Sequence, residues 1–306
     1  MTSRPVRTAQ LSADQQAAVL ELVAAAESAD GVPPLSEQSR LAVRGRSGHA
    51  VEHLLAYADD ALAGYLQADQ ESAELVVAPA HRRSGVGSQL LGQVPAGTRV
   101  WAHGDVAAAK RFAAVRGLEV VRELFVLGRQ FDEAGALDDP VLPDGLVARP
   151  FRPGQDEEEW LRVNAAAFAH HTEQGRMTRA DLDARMDEPW FDPAGLVLVV
   201  PESDPDTVAA FHWTKKHSET TGEVYVVGVD PAYQGTGLGR PVTVLGLEYL
   251  RDQGVDDVIL YVDGDNPAAL KVYRGLGFTT RSVDRMFAEP TPHVDGNSPV
   301  GGTMRS

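Results

Sequence analysis

Residues 226–240 read VVGVDPAYQGTGLGR, and this stretch decides the fold. The apolar run at its start predicts a buried strand, the Asp-Pro pair predicts a turn, and a helix is expected to begin among the glycines. Glycine permits positive φ and lets a ligand approach the backbone. The unpaired N–H groups of the first helical turn then form an anion site with the helix dipole. The order of strand, glycine turn and helix therefore predicts a site that fits a diphosphate.

The spacing of the glycines excludes two other phosphate-binding loops. Gly235, Gly237 and Gly239 follow G-x-G-x-G, which lacks the last glycine of the dinucleotide fingerprint G-x-G-x-x-G. No Lys-Ser or Lys-Thr follows them, as a P-loop requires. A short glycine turn alone is weak evidence for a ligand, so the diphosphate site depends on the strand before it and the helix after it.

The chain contains this pattern twice. Residues 76–87 (VVAPAHRRSGVG) align with residues 228–239, and the proline and the last two glycines of the two segments coincide. Further along, residues 107–118 (AAAKRFAAVRGL) align with residues 267–278 in the same order. Two matches in one order indicate a duplicated α+β unit rather than a chance recurrence of glycine turns.

Hydrophobic periodicity and turn residues predict the same order of elements in both halves. In the first half we expect a helix at 12–29 capped by Ser12, strands at 51–57, 60–67, 73–78, 98–102 and 120–130, a helix after the glycine turn and another at 105–116. In the second half we expect strands at 146–151, 195–200, 207–214, 222–229, 257–262 and 278–287, and helices at 155–168, 178–187, 237–253 and 266–275.

Composition excludes several classes of function. The 306 residues suggest two domains, and the net charge of −16 argues against nucleic acid and anionic membranes, which require a basic face. The chain has no cysteine, so disulfides, thiolate metal sites and thiol nucleophiles are excluded. The first residues lack the apolar core of a secretory signal, and no run of about 18 apolar residues occurs. We therefore expect a cytoplasmic protein.

Two motifs carry a resemblance to a known superfamily. Residues 226–240 resemble the acyl-CoA motif of the GNAT (Gcn5-related N-acetyltransferase) superfamily, and residues 266–278 resemble its next motif, Asn-x-x-Ala-x-x-x-Tyr-x-x-x-Gly-Phe. The resemblance and the repeat imply an α+β fold of two tandem GNAT units, each a mixed, mostly antiparallel sheet flanked by helices. The expected division is a first unit at 1–130, a linker rich in Asp, Pro and Gly at 131–146, a catalytic unit at 147–288 and a disordered tail at 289–306.

Further segments narrow the resemblance to the mycothiol synthase family. They are Gly31–Pro34, Glu37–Gln38, Phe168–Ala169, Glu173–Gly175, Phe211–Lys215 and Gly222–Val226. The family implies an enzyme that moves an acetyl group from acetyl-CoA to the cysteinyl amine of cysteinyl-glucosaminyl-inositol, the last step of mycothiol biosynthesis. The partners implied are acetyl-CoA and this small-molecule amine.

The resemblance also implies roles for single residues. Glu223 is the expected base, acting through a water, and Tyr273 is the expected acid, because a phenol with a pKa of about 10 is protonated at neutral pH and can donate to the leaving thiolate. The implied substrate contacts are Glu37, Glu173, Lys215, Glu223 and Tyr261. Acidic side chains suit an ammonium group, and a lysine can donate to sugar oxygens. Glu37 lies in the first half, so its contact requires the two units to share one cleft.

The acetyl-CoA contacts that the resemblance implies lie in both halves. In the second half they are Val227, Gly228, Val229, Gln234, Gly235, Thr236, Gly237, Leu238, Gly239, Arg240, Asn266, Pro267, Ala268, Ala269, Leu270 and Lys271, with a strand bulge expected at 227–229. In the first half they are Leu75, Val76, Val77, Arg82, Arg83, Ser84, Gly85, Val86 and Gly87. Ala113 takes the place of Tyr273, so the first unit is expected to be catalytically silent. Whether it binds acetyl-CoA or only keeps the fold stays open.

Two other functions remain open on the residues alone. One is a tandem GNAT enzyme for another amine, such as an aminoglycoside or a protein N-terminus. The set Glu37, Glu173 and Lys215 discriminates, because a protein-acetylating enzyme should have an open groove there. The other is a non-catalytic acyl-CoA sensor, against which Tyr273 and Glu223 argue. His170, His171, His212 and His217 are expected near the cleft, but no spacing matches a metal site, so we expect no metal. We also expect a monomer.

Overall fold

The computed structural model describes residues 4–47, 49–70, 72–169 and 172–290, with the main chain only at 172 and 173. The helices are α1 (Ala13–Asp30), α2 (Glu37–Val43), α3 (Val86–Leu91), α4 (Ala107–Arg116), α5 (Glu157–Ala167), α6 (Thr172–Gly175), α7 (Arg179–Met186), α8 (Gly239–Asp252) and α9 (Pro267–Gly275). The strands are β1 (Val6–Thr8), β2 (Glu52–Ala58), β3 (Ala61–Ala68), β4 (Ser72–Val77), β5 (Arg99–Ala102), β6 (Glu119–Gln130), β7 (Leu146–Pro150), β8 (Leu196–Pro201), β9 (Ala210–Lys216), β10 (Thr221–Val229), β11 (Asp257–Asp263) and β12 (Thr279–Ala288).

Every predicted strand and helix is present, with ends shifted by a few residues. The Ser12 cap is confirmed, because its side chain accepts from Gln15 N and the Gln15 side chain accepts from Ser12 N. The elements that the sequence did not predict are β1, α2 and α6. Of the tail expected at 289–306, residues 291–306 lie outside the described part of the chain.

All the described strands form one sheet of 12 strands in the order β1-β2-β3-β4-β5-β12-β6-β11-β10-β9-β8-β7. Counted inward from either edge, the sheet has the first five strands of one half followed by the last strand of the other half. Neighbouring strands of this sheet run antiparallel, except β4 with β5 and β10 with β11, which are parallel. The mixed, mostly antiparallel sheet of a duplicated unit is therefore confirmed.

The two halves exchange their last strands at the centre of this sheet. Strand β12 pairs with β5 of the first half, and Arg285 lies opposite Ala102. Strand β6 pairs with β11 of the second half, and its residue Leu127, opposite Leu260, belongs to the apolar core of that half. The division into units 1–130 and 147–288 stays a prediction, because one sheet runs through both.

Helices cover the sheet and bring polar residues to its middle. Helix α1 buries Val19, Leu22 and Val23 against β3 and β4, while α8 packs on β8, β9 and β10. Within the described residues, no helix has the length and apolar character needed to cross a membrane. Strands β12, β6, β11 and β10, from both halves, adjoin at the centre of the sheet.

Candidate active site

Strands β10 and β11 are paired over only part of the length of β10. Their parallel pairing ends at Val224 opposite Leu260, while β10 continues to Val229. The pairing of β10 with β9 changes register between Val224 and Val226, which places a bulge at Tyr225. The bulge therefore lies earlier than the expected position at 227–229. Beyond the bulge, the edge of β10 on the side of β11 is no longer paired with that strand. The backbone N–H and C=O groups along this edge are therefore available to a ligand.

The glycine-rich loop after β10 has the conformation that the sequence predicts. Gly235 and Gly237 have φ of +79° and +89°, in the left-handed region that favours glycine. A Cβ built at either residue would meet nothing within 4 Å, so φ rather than packing requires glycine. Helix α8 begins at Gly239 without a side-chain cap at Leu238, so its first amides are not satisfied by a capping side chain. The loop can bind a diphosphate.

Tyr273 lies on α9, and Asn266 caps that helix by accepting from Ala269 N at 3.0 Å. The Tyr273 ring packs edge-on against Phe278, with 5.9 Å between ring centroids. Burial raises the pKa of Tyr273 to about 12, so the phenol keeps its proton throughout the neutral range. A protonated phenol at this position is able to donate a hydrogen bond.

A cavity of ≈ 540 Å³ joins Tyr273 to residues of both halves. Its second-half lining includes Val224, Tyr225, Val226, Val227, Tyr261, Asn266, Ala269 and Tyr273. Its first-half lining includes Ser39, Gln67, Glu74, Trp101, His103 and Arg122. Apolar and polar side chains from both halves therefore line one cavity that includes Tyr273.

Glu223 lies on β10 opposite Lys215 of β9, and its side chain is buried. His217 follows β9, and its Nε2 lies 2.6 Å from Oε2 of Glu223. The sequence placed His217 near the cleft without a role. A buried carboxylate beside an imidazole can accept a proton and release it again.

Glu37 of the first half reaches into the second half. It begins α2, where Ser36 caps the helix by accepting from Ser39 N. Its carboxylate accepts hydrogen bonds from Lys215 Nζ and, at 2.7 Å, from the hydroxyl of Tyr225. Burial alone would raise the pKa of Glu37, but Lys215 and Tyr225 outweigh it and hold the pKa below its ordinary value. The two halves thus share one cleft, as the position of Glu37 required.

Further contacts hold this junction. Arg185 of α7 donates to the Tyr225 hydroxyl at 2.7 Å and to Gln38 Oε1 at 2.8 Å. Lys215 Nζ lies 4.6 Å from the centroid of the Trp190 ring, within range of a cation–π contact. Arg185 and Trp190 had no functional role in the sequence analysis. The interaction of α2 with α7 could not be inferred from either segment alone.

Two other predicted substrate contacts differ in how far the structure describes them. Tyr261 on β11 is 44% exposed and lines the 540 Å³ cavity. Partial burial and the charge of Glu223 raise its pKa above the ordinary value. Glu173 lies in α6, which Gln174 fixes to α5 by hydrogen bonds with Asn164, but the side chain of Glu173 lies outside the described residues. The same holds for His170 and His171.

The first half keeps the loop conformation but differs around it. Arg83 takes the place of Gly235 at a φ of +62°, and Gly85 has a φ of +92°. Both terminal nitrogens of Arg82 bond the Asp30 carboxylate, at 2.7 and 2.6 Å, so its charge is already paired. The pairing of β4 with β3 shows no register shift, and Ala113 is buried in the place of Tyr273. The segments 75–77 and 82–87 of the first half are therefore accompanied neither by a counterpart of Tyr273 nor by a counterpart of the bulge at Tyr225.

Ion pairs across the exchanged strands were missed by the sequence analysis. His103 follows β5, and its Nδ1 lies 2.8 Å from Asp284 of β12. Arg122 of β6 bonds Asp263 of β11 through two nitrogens, at 2.6 and 2.9 Å. These pairs join residues far apart in sequence, so only strand pairing reveals them. In the described part of the chain, no group of three or more His, Asp or Glu residues could hold a metal ion.

Residues at the entrance of the loop are also bonded within the chain. Arg240 donates to Asp138 of the predicted linker at 2.5 Å and to the carbonyl oxygen of Gly275 at 3.3 Å. These contacts place the guanidinium between the start of α8 and the end of α9. The residues expected to contact acetyl-CoA on the loop and on α9 thus lie on adjoining elements.

Comparisons with known proteins agree with this geometry. The Acetyltransferase (GNAT) family model matches residues 158–278, which include β10, the glycine loop and α9. Two solved structures share the fold over most of the chain. A GCN5-related N-acetyltransferase from Sphaerobacter thermophilus (23% identity, TM-score 0.62) covers 93% of this chain and 95% of its own. A tandem GNAT protein from the clavulanic acid biosynthesis pathway (18% identity, TM-score 0.68) covers 94% and 98%.

Sequence relatives narrow the family. The mycothiol acetyltransferase of Streptomyces avermitilis is 49% identical over 91% of this chain and 93% of its own. Those of Thermomonospora curvata and Rhodococcus erythropolis are each 48% identical, over 92% and 90% of this chain. At this identity, over nearly the whole length, the chain belongs to the mycothiol acetyltransferase family within the GNAT acetyltransferases.

Proposed function

We propose that the chain transfers the acetyl group of acetyl-CoA to the cysteinyl amine of cysteinyl-glucosaminyl-inositol, the last step of mycothiol biosynthesis. The observation that carries the proposal is the acidic junction of the two halves. Glu37 from α2 accepts a hydrogen bond from Lys215, which lies opposite Glu223 in the pairing of β9 with β10. An acceptor bound there meets carboxylates for its ammonium group and donors for its hydroxyls.

Acetyl-CoA is proposed to lie along β10 and the start of α8. The exposed loop 234–237 and the amides before Gly239 would hold the diphosphate, as helix N-termini hold anions. The open edge of β10 from Val226 to Val229 would bond the pantetheine arm and polarise the thioester carbonyl through a backbone N–H. The thioester sulfur would then lie near Tyr273, which lines the 540 Å³ cavity.

The chemistry requires protons to move in a fixed order. Glu223 takes one proton from the ammonium group through a water, which leaves a neutral amine to attack the thioester carbon. A C–N bond forms and the C–S bond breaks. Tyr273 donates its proton to the leaving thiolate and regains one from the nitrogen as it becomes an amide. One proton per turnover remains to be released from Glu223.

Acceptor recognition follows from the charges at the junction. Lys215 and Tyr225 already donate to Glu37, which reduces its attraction for an ammonium group but leaves its carboxylate able to accept from hydroxyls. We therefore assign Glu37 and Lys215 to the sugar and polyol portion, and Glu223 to the amine. Tyr261, with its side chain partly exposed in the cavity, is assigned a contact with the same acceptor.

We infer that the first unit does not catalyse transfer. Ala113 offers no proton donor where α9 has Tyr273, and β4 has no bulge to turn backbone groups toward an acyl carbonyl. Arg82 is paired with Asp30, so it contributes less to phosphate binding than the sequence suggested. The unit instead supplies Glu37 and the first-half wall of the cavity.

Acceptor specificity tests the proposal. We expect the purified protein to acetylate cysteinyl-glucosaminyl-inositol with a kcat/KM at least ~10³-fold above that for cysteine amide or glucosaminyl-inositol, because the junction residues would bind only the complete acceptor. Product formation should be followed by chromatography and mass spectrometry, since the acceptor has its own thiol. Equal activity on simple amines would favour another acceptor, and tight acetyl-CoA binding without turnover would favour a sensor.

The glycine loop gives a second prediction, with a matched control. Gly237→Ala is expected to raise the KM for acetyl-CoA by about tenfold, because a Cβ at positive φ costs ~1–2 kcal/mol and distorts the amides that hold the diphosphate. Gly254→Ala introduces the same strain at a φ of +78°, also with nothing within 4 Å, beyond the far end of α8. It should lower stability similarly without changing that KM. An equal KM change in both variants would contradict the loop assignment.

A further inference from the structure

The buried carboxylate of Glu223 has a connection to solvent through His217. The side chain of Glu223 is 7% exposed, whereas that of His217 is 35% exposed. His217 Nε2 lies 2.6 Å from Glu223 Oε2, and its imidazole lines a second cavity of ≈ 730 Å³ that opens on the surface. The hairpin fixes the histidine, because its backbone N–H donates to Thr221 O at 2.9 Å. The imidazole thus contacts the carboxylate through Nε2 while about a third of the side chain is exposed to solvent.

We propose that His217 carries the proton released in each turnover from Glu223 to solvent. The inference rests on the proposed transfer of acetyl to an amine, but not on which amine is used. R–NH₃⁺ and acetyl-CoA become an amide, free CoA thiol and one proton, so Glu223 must lose that proton before the next turnover. An imidazole accepts it at one nitrogen and releases one from the other. His217 acts through Glu223, on the proton that Glu223 has accepted.

The charged neighbours of this pair leave His217 as the route. From β9, Lys215 lies opposite Glu223, but its Nζ donates to Glu37 and lies over the Trp190 ring, so these contacts hold its side chain. Burial and the charge of Glu223 raise the pKa of Tyr261 on β11, so its phenol is poorly suited to pass the proton from Glu223 to solvent. The remaining titratable groups that line the cavity around His217 are Arg40, Arg44, Glu188, Asp192, Lys216, Glu219 and Tyr249. In the part of the chain that the structure describes, His217 is the titratable residue whose side chain is hydrogen-bonded to the Glu223 carboxylate.

Two substitutions separate a relay from a merely structural contact. His217→Ala should lower kcat by ~10²-fold, the lower range for lost acid–base assistance, with the KM for acetyl-CoA unchanged. Added imidazole should restore kcat in proportion to its concentration, because it can enter the 730 Å³ cavity and accept the proton. His217→Gln keeps a donor to Glu223 near the position of Nε2 but cannot titrate, so it should be as slow as His217→Ala.

His81→Ala, in the first half, is the control and should show neither the loss nor a response to imidazole. Thermal unfolding of each variant checks that it is folded. A His217→Gln enzyme with wild-type kcat, or a folded His217→Ala enzyme that imidazole does not restore, would overturn the relay.

The same assay separates this inference from the proposed function. A wild-type enzyme that acetylates simple amines as well as the cysteinyl acceptor removes only the proposed acceptor, and the relay is then measured on those amines. A specific wild-type enzyme with an active His217→Gln variant removes only the relay. A protein without turnover on any amine removes both.

Discussion

Tyr273→Phe is expected to lower kcat by ~10²–10³-fold while the affinity for acetyl-CoA stays close to the wild-type value. The substitution removes one hydroxyl from the lining of the 540 Å³ cavity and keeps the ring that packs against Phe278. Only the proton donated to the leaving thiolate is lost, so the chemical step should slow while binding persists. Steady-state kinetics and calorimetric titration with CoA measure the two quantities separately.

The raised pKa of the Tyr273 phenol also predicts how the loss in kcat depends on pH. Because burial raises the pKa of Tyr273 to about 12, the donor stays protonated, and the loss in kcat should be constant from about pH 6 to about pH 9. Tyr57→Phe, in the first half, should leave kcat unchanged. A Tyr273→Phe enzyme with undiminished kcat, or one whose defect vanishes at low pH, would remove this tyrosine from the mechanism.

Asp284→Asn should lower the free energy of unfolding by ~3–5 kcal/mol, because it leaves the imidazolium of His103 with a weakened partner in a buried place. Asp284 also accepts from the backbone N–H of Gly104 at 2.7 Å, so one carboxylate fastens the end of β5 to β12. The loss should therefore be global, since it weakens the junction of the two halves. Urea unfolding followed by circular dichroism measures it.

The pair also makes stability depend on pH. Burial opposes the charge on His103, but Asp284 and Glu74 outweigh it and raise the pKa to about 10. The contribution is therefore complete below the unfolded pKa of about 6.5 and is lost as the pH rises through about 10. Wild-type stability should fall between about pH 7 and about pH 10, and Asp284→Asn should flatten that slope.

An exposed pair provides the control for this prediction. Arg7 and Glu52 join β1 to β2 at 2.6 Å, with side chains 49% and 37% exposed. Glu52→Gln should cost less than about 1 kcal/mol, as surface ion pairs do. If Asp284→Asn costs no more than Glu52→Gln, the pair at the exchanged strands does not hold the halves together.

The sequence predicted what local pattern determines. The glycine loop was predictable because positive φ at Gly235 and Gly237 has few alternatives, whereas the role expected of Tyr273 came from the resemblance of residues 266–278 to a GNAT motif. Helix α2 was missed because it has seven residues, too few for a clear periodic signal. Its first residue, Glu37, came only from the family resemblance, and its partners Lys215 and Tyr225 required the structure.

Long-range pairing accounts for the rest. Residue patterns specify that β6 and β12 are strands but not which neighbours they take, so their exchange and the His103–Asp284 pair could not be predicted. The bulge at Tyr225 was expected later because its position depends on the register with β9. His217 was noted near the cleft, but its contact with Glu223 depends on the hairpin between the two strands.

The position of β12 in the sheet bears on how the chain is made. Strand β5 is complete by residue 102, yet the strand that covers its free edge ends at residue 288. On a ribosome the first half emerges with that hydrogen-bonding edge open, and it stays open until nearly all of the chain has left the exit tunnel. The first repeat can therefore reach its final strand pairing only after the last strand of the second repeat has been made.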